Sequence, residues 1–305
     1  MDKKQVFAGL LLALTAFIWG SAFVAQSLGM NYVGPFTFNA VRSLIGGAFL
    51  LPVIYLMDRQ KGKENIRGRM TSSEKSVLLK GGICCGLVLT VSSSLQQVGI
   101  RYTTVGKAGF ITALYIVIVP LLGIFLKKRV RTAVWAGVVL ATVGLYLITM
   151  TEDLSIRKGD FYVLLCAFFF SIHILVIDYF SPLTDGVRLS CIQLFICGIL
   201  SGIPMLLTER PQISAVIASG IPILYAGLLS SGIAYTLQIV AQKHINPVIA
   251  SLICSLESVF AVLCGWIFLR QTLSVKELIG CIVVFAAIIL AQLPERKKTE
   301  FKNER

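Results

Sequence analysis

The sequence predicts an all-α integral membrane protein of ten transmembrane helices, arranged as two inverted five-helix repeats. Three observations carry this. Of the 305 residues, 56% are hydrophobic and 14% charged, where a soluble domain carries about 25% charged residues to cover its surface. The apolar residues collect into runs of about 20, the length an α-helix needs to cross roughly 30 Å of hydrocarbon. The second half of the chain repeats the first.

The runs fall at 6–28, 35–57, 76–97, 104–126, 132–150, 159–178, 187–207, 217–240, 247–269 and 275–293. Lys3 and Lys4 precede the first, which is longer than a secretory h-region and has no small-x-small cleavage pattern at its end. It reads as a retained span. Residues 58–75, the longest connection, are too few and too polar for a core of their own. Within the third span Gly81, Gly82 and Gly86 permit close helix approach. Gly227, Ser230, Ser231 and Gly232 do the same in the eighth, and both spans are expected to line a central crevice. Pro52, Pro120, Pro204 and Pro222 are expected to kink their helices or open carbonyls to that crevice. All eight cysteines lie inside spans without C-x-x-C or metal-ligand spacing, so they read as helix-packing thiols.

The net charge of +13 is topology rather than a nucleic-acid footprint. With a cytoplasmic N-terminus, twenty of the 28 Lys and Arg fall on cytoplasmic ends and loops and seven on the other side; Arg42 lies within a span. That bias places both termini in the cytoplasm. The basic loops lack the interleaved aromatics of a nucleic-acid reader.

At an offset of 151 residues Ala16-Phe17 falls on Ala167-Phe168, Arg42 on Gln193, and Gly47 on Gly198. At 142, residues 95–102 fall on 237–244; at 143, Ile124-Phe125-Leu126 falls on Ile267-Phe268-Leu269, and Glu257 falls on Leu114. The offset drops where loop 58–75 outgrows its counterpart 208–216, as a true repeat interrupted at a loop would require. The halves are 1–151 and 152–305. Five spans is an odd number, so the second half starts on the opposite face of the membrane. Inverted repeats of this kind recur in secondary transporters, with the substrate site near the midplane between repeats.

The chain resembles a pair of EamA domains of the drug/metabolite transporter superfamily. The resemblance is carried by Trp19-Gly20-Ser21, by Pro35 followed by Arg42, by 255–261 with Gly265 and Trp266, and by Gly280. It departs where the family often has a glutamate, at Lys128 and Gln271, and where Ser258 replaces a proline. The resemblance implies a plasma-membrane permease for a small metabolite such as an amino acid or amine.

Polar groups within spans are the recognition chemistry on offer, because ionisable groups are costly in hydrocarbon and face a cavity or a partner. Glu257 lies ten residues into the ninth span and Arg42 seven residues into the second, about 15 Å and 10 Å deep at 1.5 Å per residue. An internal ion pair is one reading of the two. The other is that one or both meet substrate, or that Glu257 carries a coupling proton. Trp19, Tyr115 and His173 come to the midplane by the same count. Gln96 lies toward the outer face and Gln238 toward the inner one, and Asn39, Gln193 and Tyr235 complete the set. Interhelical hydrogen bonding is the competing role for the amides and helix packing for Trp19 and His173. Lys107 and Asp178, near span ends, are expected to reach the interface.

The expected partners are the lipid bilayer, a small-molecule substrate and a coupling proton, with a second copy of the chain left open. No cofactor and no nucleic acid is expected. The rival class is a membrane-embedded enzyme acting on a lipid-like or other small substrate. No Walker A, H-E-x-x-H or nucleophile elbow supports it, and neither charge rings nor a carbonyl filter support a channel.

Overall fold

The computed structural model describes residues 3–63, 70–126, 132–149, 158–270 and 274–292, and among them no strand occurs. In chain order the α-helices are α1 (Lys3–Gly29), α2 (Pro35–Lys63), α3 (Ser72–Ile100), α4 (Val105–Ala113), α5 (Tyr115–Phe125), α6 (Thr132–Thr149) and α7 (Lys158–Phe180). They continue as α8 (Gly186–Pro204), α9 (Ile213–Ala218), α10 (Gly220–Leu224), α11 (Tyr235–Gln242), α12 (Pro247–Cys254), α13 (Leu256–Leu269) and α14 (Val275–Gln292). Two stretches, Met205–Glu209 and Tyr225–Ala234, are π-helical and follow α8 and α10 without a break.

Eight rods among the described residues are long and apolar enough to cross a membrane. The sequence reading expects ten. Its fifth and tenth spans are the shorter apolar helices Val134–Leu147 and Leu278–Leu290 within α6 and α14. Lys276 and Glu277 open α14 and delay its apolar stretch. The outside of the bundle is apolar, with Phe125 and Ile221 each 84% exposed, while Asn39, His173 and Gln193 are fully buried. A soluble protein shows the reverse. A multi-pass membrane protein has lipid as its solvent and no such penalty.

Packing is reciprocal between the halves. Helix α1 lies on α13, and α7 lies on α4 and α5. Helix α3 lies on α7 and α8, while the rod containing α11 and the longer π segment lies on α1 and α2. Helix α2 packs on α8, and α6 on α14. Exchanging the halves maps each pairing onto another or onto itself. The glycines expected to permit close helix approach serve this packing: a Cβ on Gly82 or Gly86 would strike Ile192 or Ile196 of α8, and one on Gly227 would strike Ile45 of α2.

Two rods are broken within one residue of equivalent places, between α4 and α5 at Leu114 and between α12 and α13 at Ser255. At the second, Ser251, Ser255 and Ser258 each donate to the carbonyl three residues back, competing with the helix's own ladder. Of the prolines expected to kink helices, Pro204 immediately precedes one π segment and Pro222 the other by three residues, where wider turns accommodate the missing N–H. Pro52 sits within an uninterrupted α2.

The ends of the α2–α8 pair are fastened by related devices. Asp185 caps α8 by accepting from the N–H groups of Val187 and Arg188. Its repeat position, 151 residues earlier, is Gly34, which has no side chain to do the same for α2. Glu209 supplies the missing acceptor from across the interface, taking the N–H of Phe36 at 2.9 Å, the N–H of Thr37 at 2.7 Å and the Thr37 hydroxyl at 2.6 Å. At the opposite end of the pair Asp58, the repeat position of Glu209, forms an ion pair with Arg188. Lys107 reaches Asp160 across the α4–α7 contact at 2.7 Å rather than ending at the interface. Glu209→Ala is expected to lower stability by about 1–2 kcal/mol, the cost of an N-cap with a negative charge on a helix dipole. A thermal-unfolding series in detergent checks this, and an unchanged midpoint would show the capping contact to be incidental.

Candidate functional site

Between the rods lies a central, partly open cavity, with about 450 Å³ of space free of protein atoms when the open solvent at its mouth is included. Helix α1 gives it Trp19, Phe23 and Gln26; α2 gives Arg42; α3 gives Gln96; α4 and α5 give Thr112 and Tyr115. Phe170 and Ile174 come from α7, Ser230 from the π segment, Tyr235 and Gln238 from α11, and Cys254 and Glu257 from α12 and α13.

Ten of these residues form repeat-related pairs. At an offset of 151, Trp19 falls on Phe170 and Phe23 on Ile174; at 142, Gln96 falls on Gln238, Thr112 on Cys254, and Tyr115 on Glu257. The offset of 142 also matches the capping residues Thr104 of α4 and Asn246 of α12. It therefore replaces the offset of 143 at this point, and Tyr115 rather than Leu114 is the counterpart of Glu257. Five of the ten come from residues 19–115 and their five counterparts from residues 170–257.

The charges are held singly. Glu257 is 3% exposed and Arg42 2%, and both border the cavity, but no ion pair joins them among the described residues. The internal pair expected as one reading is absent because each has a separate neutral setting. Tyr115 donates its hydroxyl to Oε1 of Glu257 at 2.8 Å, placing the carboxylate in the first turn of α13, just past the break at Ser255. Arg42 donates from Nε to Oδ1 of Asn39 at 3.0 Å and from Nη1 to Oε1 of Gln26 at 3.2 Å. The Phe38 ring lies 5.9 Å from its guanidinium carbon.

Aromatic groups make another wall. The Trp19 indole donates to the Ser230 carbonyl at 3.3 Å and lies 5.0 Å from the Tyr235 ring, centroid to centroid. Seven of the expected site residues therefore border the cavity: Trp19, Arg42, Gln96, Tyr115, Tyr235, Gln238 and Glu257. The other three stand behind it. Asn39 supports Arg42, and His173 and Gln193 bond each other at 3.0 Å with the His173 ring 6.0 Å from Tyr235.

Sequence reasoning missed Gln26 and Thr112, which hydrogen-bond Arg42 and Gln96 respectively, and the apolar Phe23, Phe170, Ile174 and Cys254. The repeat held a usable signal: Phe170 is the counterpart of Trp19 and lay one offset away. Among the described residues no group of three His, Cys, Asp or Glu is placed to hold a metal ion.

Comparison with known proteins agrees with the architecture. The model of the EamA-like transporter family matches residues 6–150 and 157–293. An uncharacterized transporter of Archaeoglobus fulgidus is 31% identical over 293 residues, covering 95% of this chain and 87% of that one. The uncharacterized inner membrane transporter YedA of Escherichia coli is 24% identical over 294 residues, covering 93% of this chain and 90% of that one. A solved crystal structure superposes with a TM-score of 0.72 at 18% identity, covering 93% of this chain and 96% of that chain. It speaks for the fold alone.

Proposed function

The chain belongs to the EamA-like transporter family, and from that premise we propose that it is a secondary permease moving a small organic metabolite, such as an amino acid or amine, by alternating access. The observation that carries the reading is the cavity built from five repeat-related pairs. A site shared by two equivalent halves can be opened by either, because exchanging their conformations reverses the open side. The reciprocal packing of α1 on α13 and of α7 on α4 and α5 supports the same exchange. The two stretches matched by the family model divide near residue 151, which supports halves of 1–151 and 152–305 and ten crossings, with α6 and α14 as the fifth and tenth. The name of the relative YedA and the 20-to-7 cation bias support a plasma-membrane location with both termini in the cytoplasm.

Counterflow in proteoliposomes tests the class of function. Liposomes preloaded with an unlabelled amino acid or amine are expected to take up the same labelled solute faster than empty ones, with saturation. Turnover of lipid or another small substrate without counterflow would instead support a membrane enzyme. Topology is tested by Asn65→Cys and Ser155→Cys, each in a background with the native cysteines replaced. Both positions lie outside the described residues. An impermeant maleimide is expected to label position 155 and not position 65 on intact cells; labelling of both from outside would refute the inverted repeat.

A further inference from the structure

We infer that Arg42 is the cavity's anion site, kept uncompensated by neutral amides so that the carboxylate of a zwitterionic substrate can complete it. The inference rests on the permease reading and narrows its substrate from amino acids or amines to solutes carrying a carboxylate opposite a cationic group.

A guanidinium has five N–H donors and no acceptor. In Arg42 one goes to Asn39 and one to Gln26, and those are its only hydrogen bonds among the described residues. The Nη2 donors are left over, on a residue 2% exposed that borders the cavity. A buried cation without a carboxylate is costly, and a scaffold indifferent to ligand would pair or remove it. The repeat shows that removal is compatible with the fold, since the position equivalent to Arg42 carries Gln193.

The neutrality of the first support is built in. The Asn39 amide nitrogen donates to Ser93 Oγ at 2.9 Å and to Ser201 Oγ at 2.9 Å. Ser93 spends its own proton on the Leu89 carbonyl at 2.6 Å, so it can only accept from Asn39. The amide is thereby oriented, with Oδ1 turned to Arg42. An aspartate would fit the same space and neutralise the guanidinium outright; an asparagine holds it without doing so. A carboxylate presented by a solute can then take the remaining donors in the planar geometry that guanidinium favours. On the other charged wall Glu257 engages, among the described residues, a single donor, Tyr115, and its second oxygen has no hydrogen bond to any of them. That oxygen is available to an ammonium group.

The test uses the purified full chain, reading intrinsic tryptophan fluorescence, to which Trp19 contributes, and thermal shift with each of the twenty common amino acids, its carboxamide and its decarboxylated amine. At least one amino acid is expected to bind, with its carboxamide weaker by on the order of 100-fold, the loss of a buried charge-assisted bidentate contact. Asn39→Asp is expected to fold with an unchanged or raised melting temperature and to lose that preference, and Arg42→Gln to lose it as well. Equal affinity for acid and carboxamide in the wild type, retained preference in Asn39→Asp, or no response to any amino acid would overturn the inference. Counterflow of an amine without acid preference would sink the anion site and leave the permease reading standing. Acid-selective binding without counterflow would do the reverse.

Discussion

Glu257→Gln is expected to give a folded protein whose net transport falls by at least about 100-fold, on the scale of losing a buried charged contact. Glutamine keeps the shape of the side chain and keeps an acceptor for the Tyr115 hydroxyl, now 2.8 Å from Oε1. With no ion pair to Arg42, removing the carboxylate charge strands no partner, so stability should change by less than about 1 kcal/mol. Had the two formed a closed pair, the same change would cost roughly 3–5 kcal/mol and a matching Arg42→Gln would restore much of it. The comparison of Glu257→Gln with the Arg42→Gln, Glu257→Gln double variant therefore separates the cases. Net transport recovered in the double variant would refute a role for Glu257 in the cavity. If Glu257 carries a proton rather than a substrate amine, exchange of solute across the membrane survives in the single variant while net flux does not, because exchange requires no change of protonation.

The same residue shows how far the sequence could be read. Glu257 and Arg42 were legible because an ionisable group in an apolar run has few structural reasons to be there; Gln96 and Gln238 stood out as amides in apolar runs, and Trp19 by its depth near the midplane. What faced the cavity was harder. A span in lipid is apolar all round, so no polar face marks the solvent side as it does on a soluble helix. Nothing chemical separates Ile174, which borders the cavity, from Ile177, fully buried one turn later against Leu78 and Leu189. Asn39, His173 and Gln193 carry the same polar mark as the lining residues but lie one layer behind it. The breaks at Leu114 and Ser255 have no proline at the break itself, and serine back-bonding shows only once the helix is built. The pairing of Tyr115 with Glu257 was hidden by a one-residue error in offset, which the caps Thr104 and Asn246 correct.

Gly20→Ala and Gly202→Ala are expected to shift stability in opposite directions, although each adds one methyl group inside a helix. Where α1 crosses α13, a Cβ on Gly20 would strike Cβ of Phe260 and would lie 2.7 Å from the Glu257 carbonyl oxygen and 2.9 Å from the Ala261 nitrogen. Two of those atoms are backbone, so relief requires the helices to separate rather than a side chain to rotate. Overpacking of this kind costs about 1–3 kcal/mol, more than the roughly 1 kcal/mol that alanine gains over glycine in a helix. Around Gly202 nothing lies within 4 Å of the added carbon, so only the helix gain remains and the melting temperature should rise. The functional consequence differs too. Trp19 precedes Gly20 in the chain, and Glu257 is the residue whose carbonyl is struck, so moving α1 off α13 shifts an aromatic wall and the carboxylate apart. Gly20→Ala should therefore lose counterflow even in the fraction that remains folded, while Gly202→Ala keeps it. Melting curves and counterflow on the two variants side by side check the argument, and a Gly20→Ala protein as stable and active as the parent would show that α1 and α13 do not meet as closely as their glycine allows.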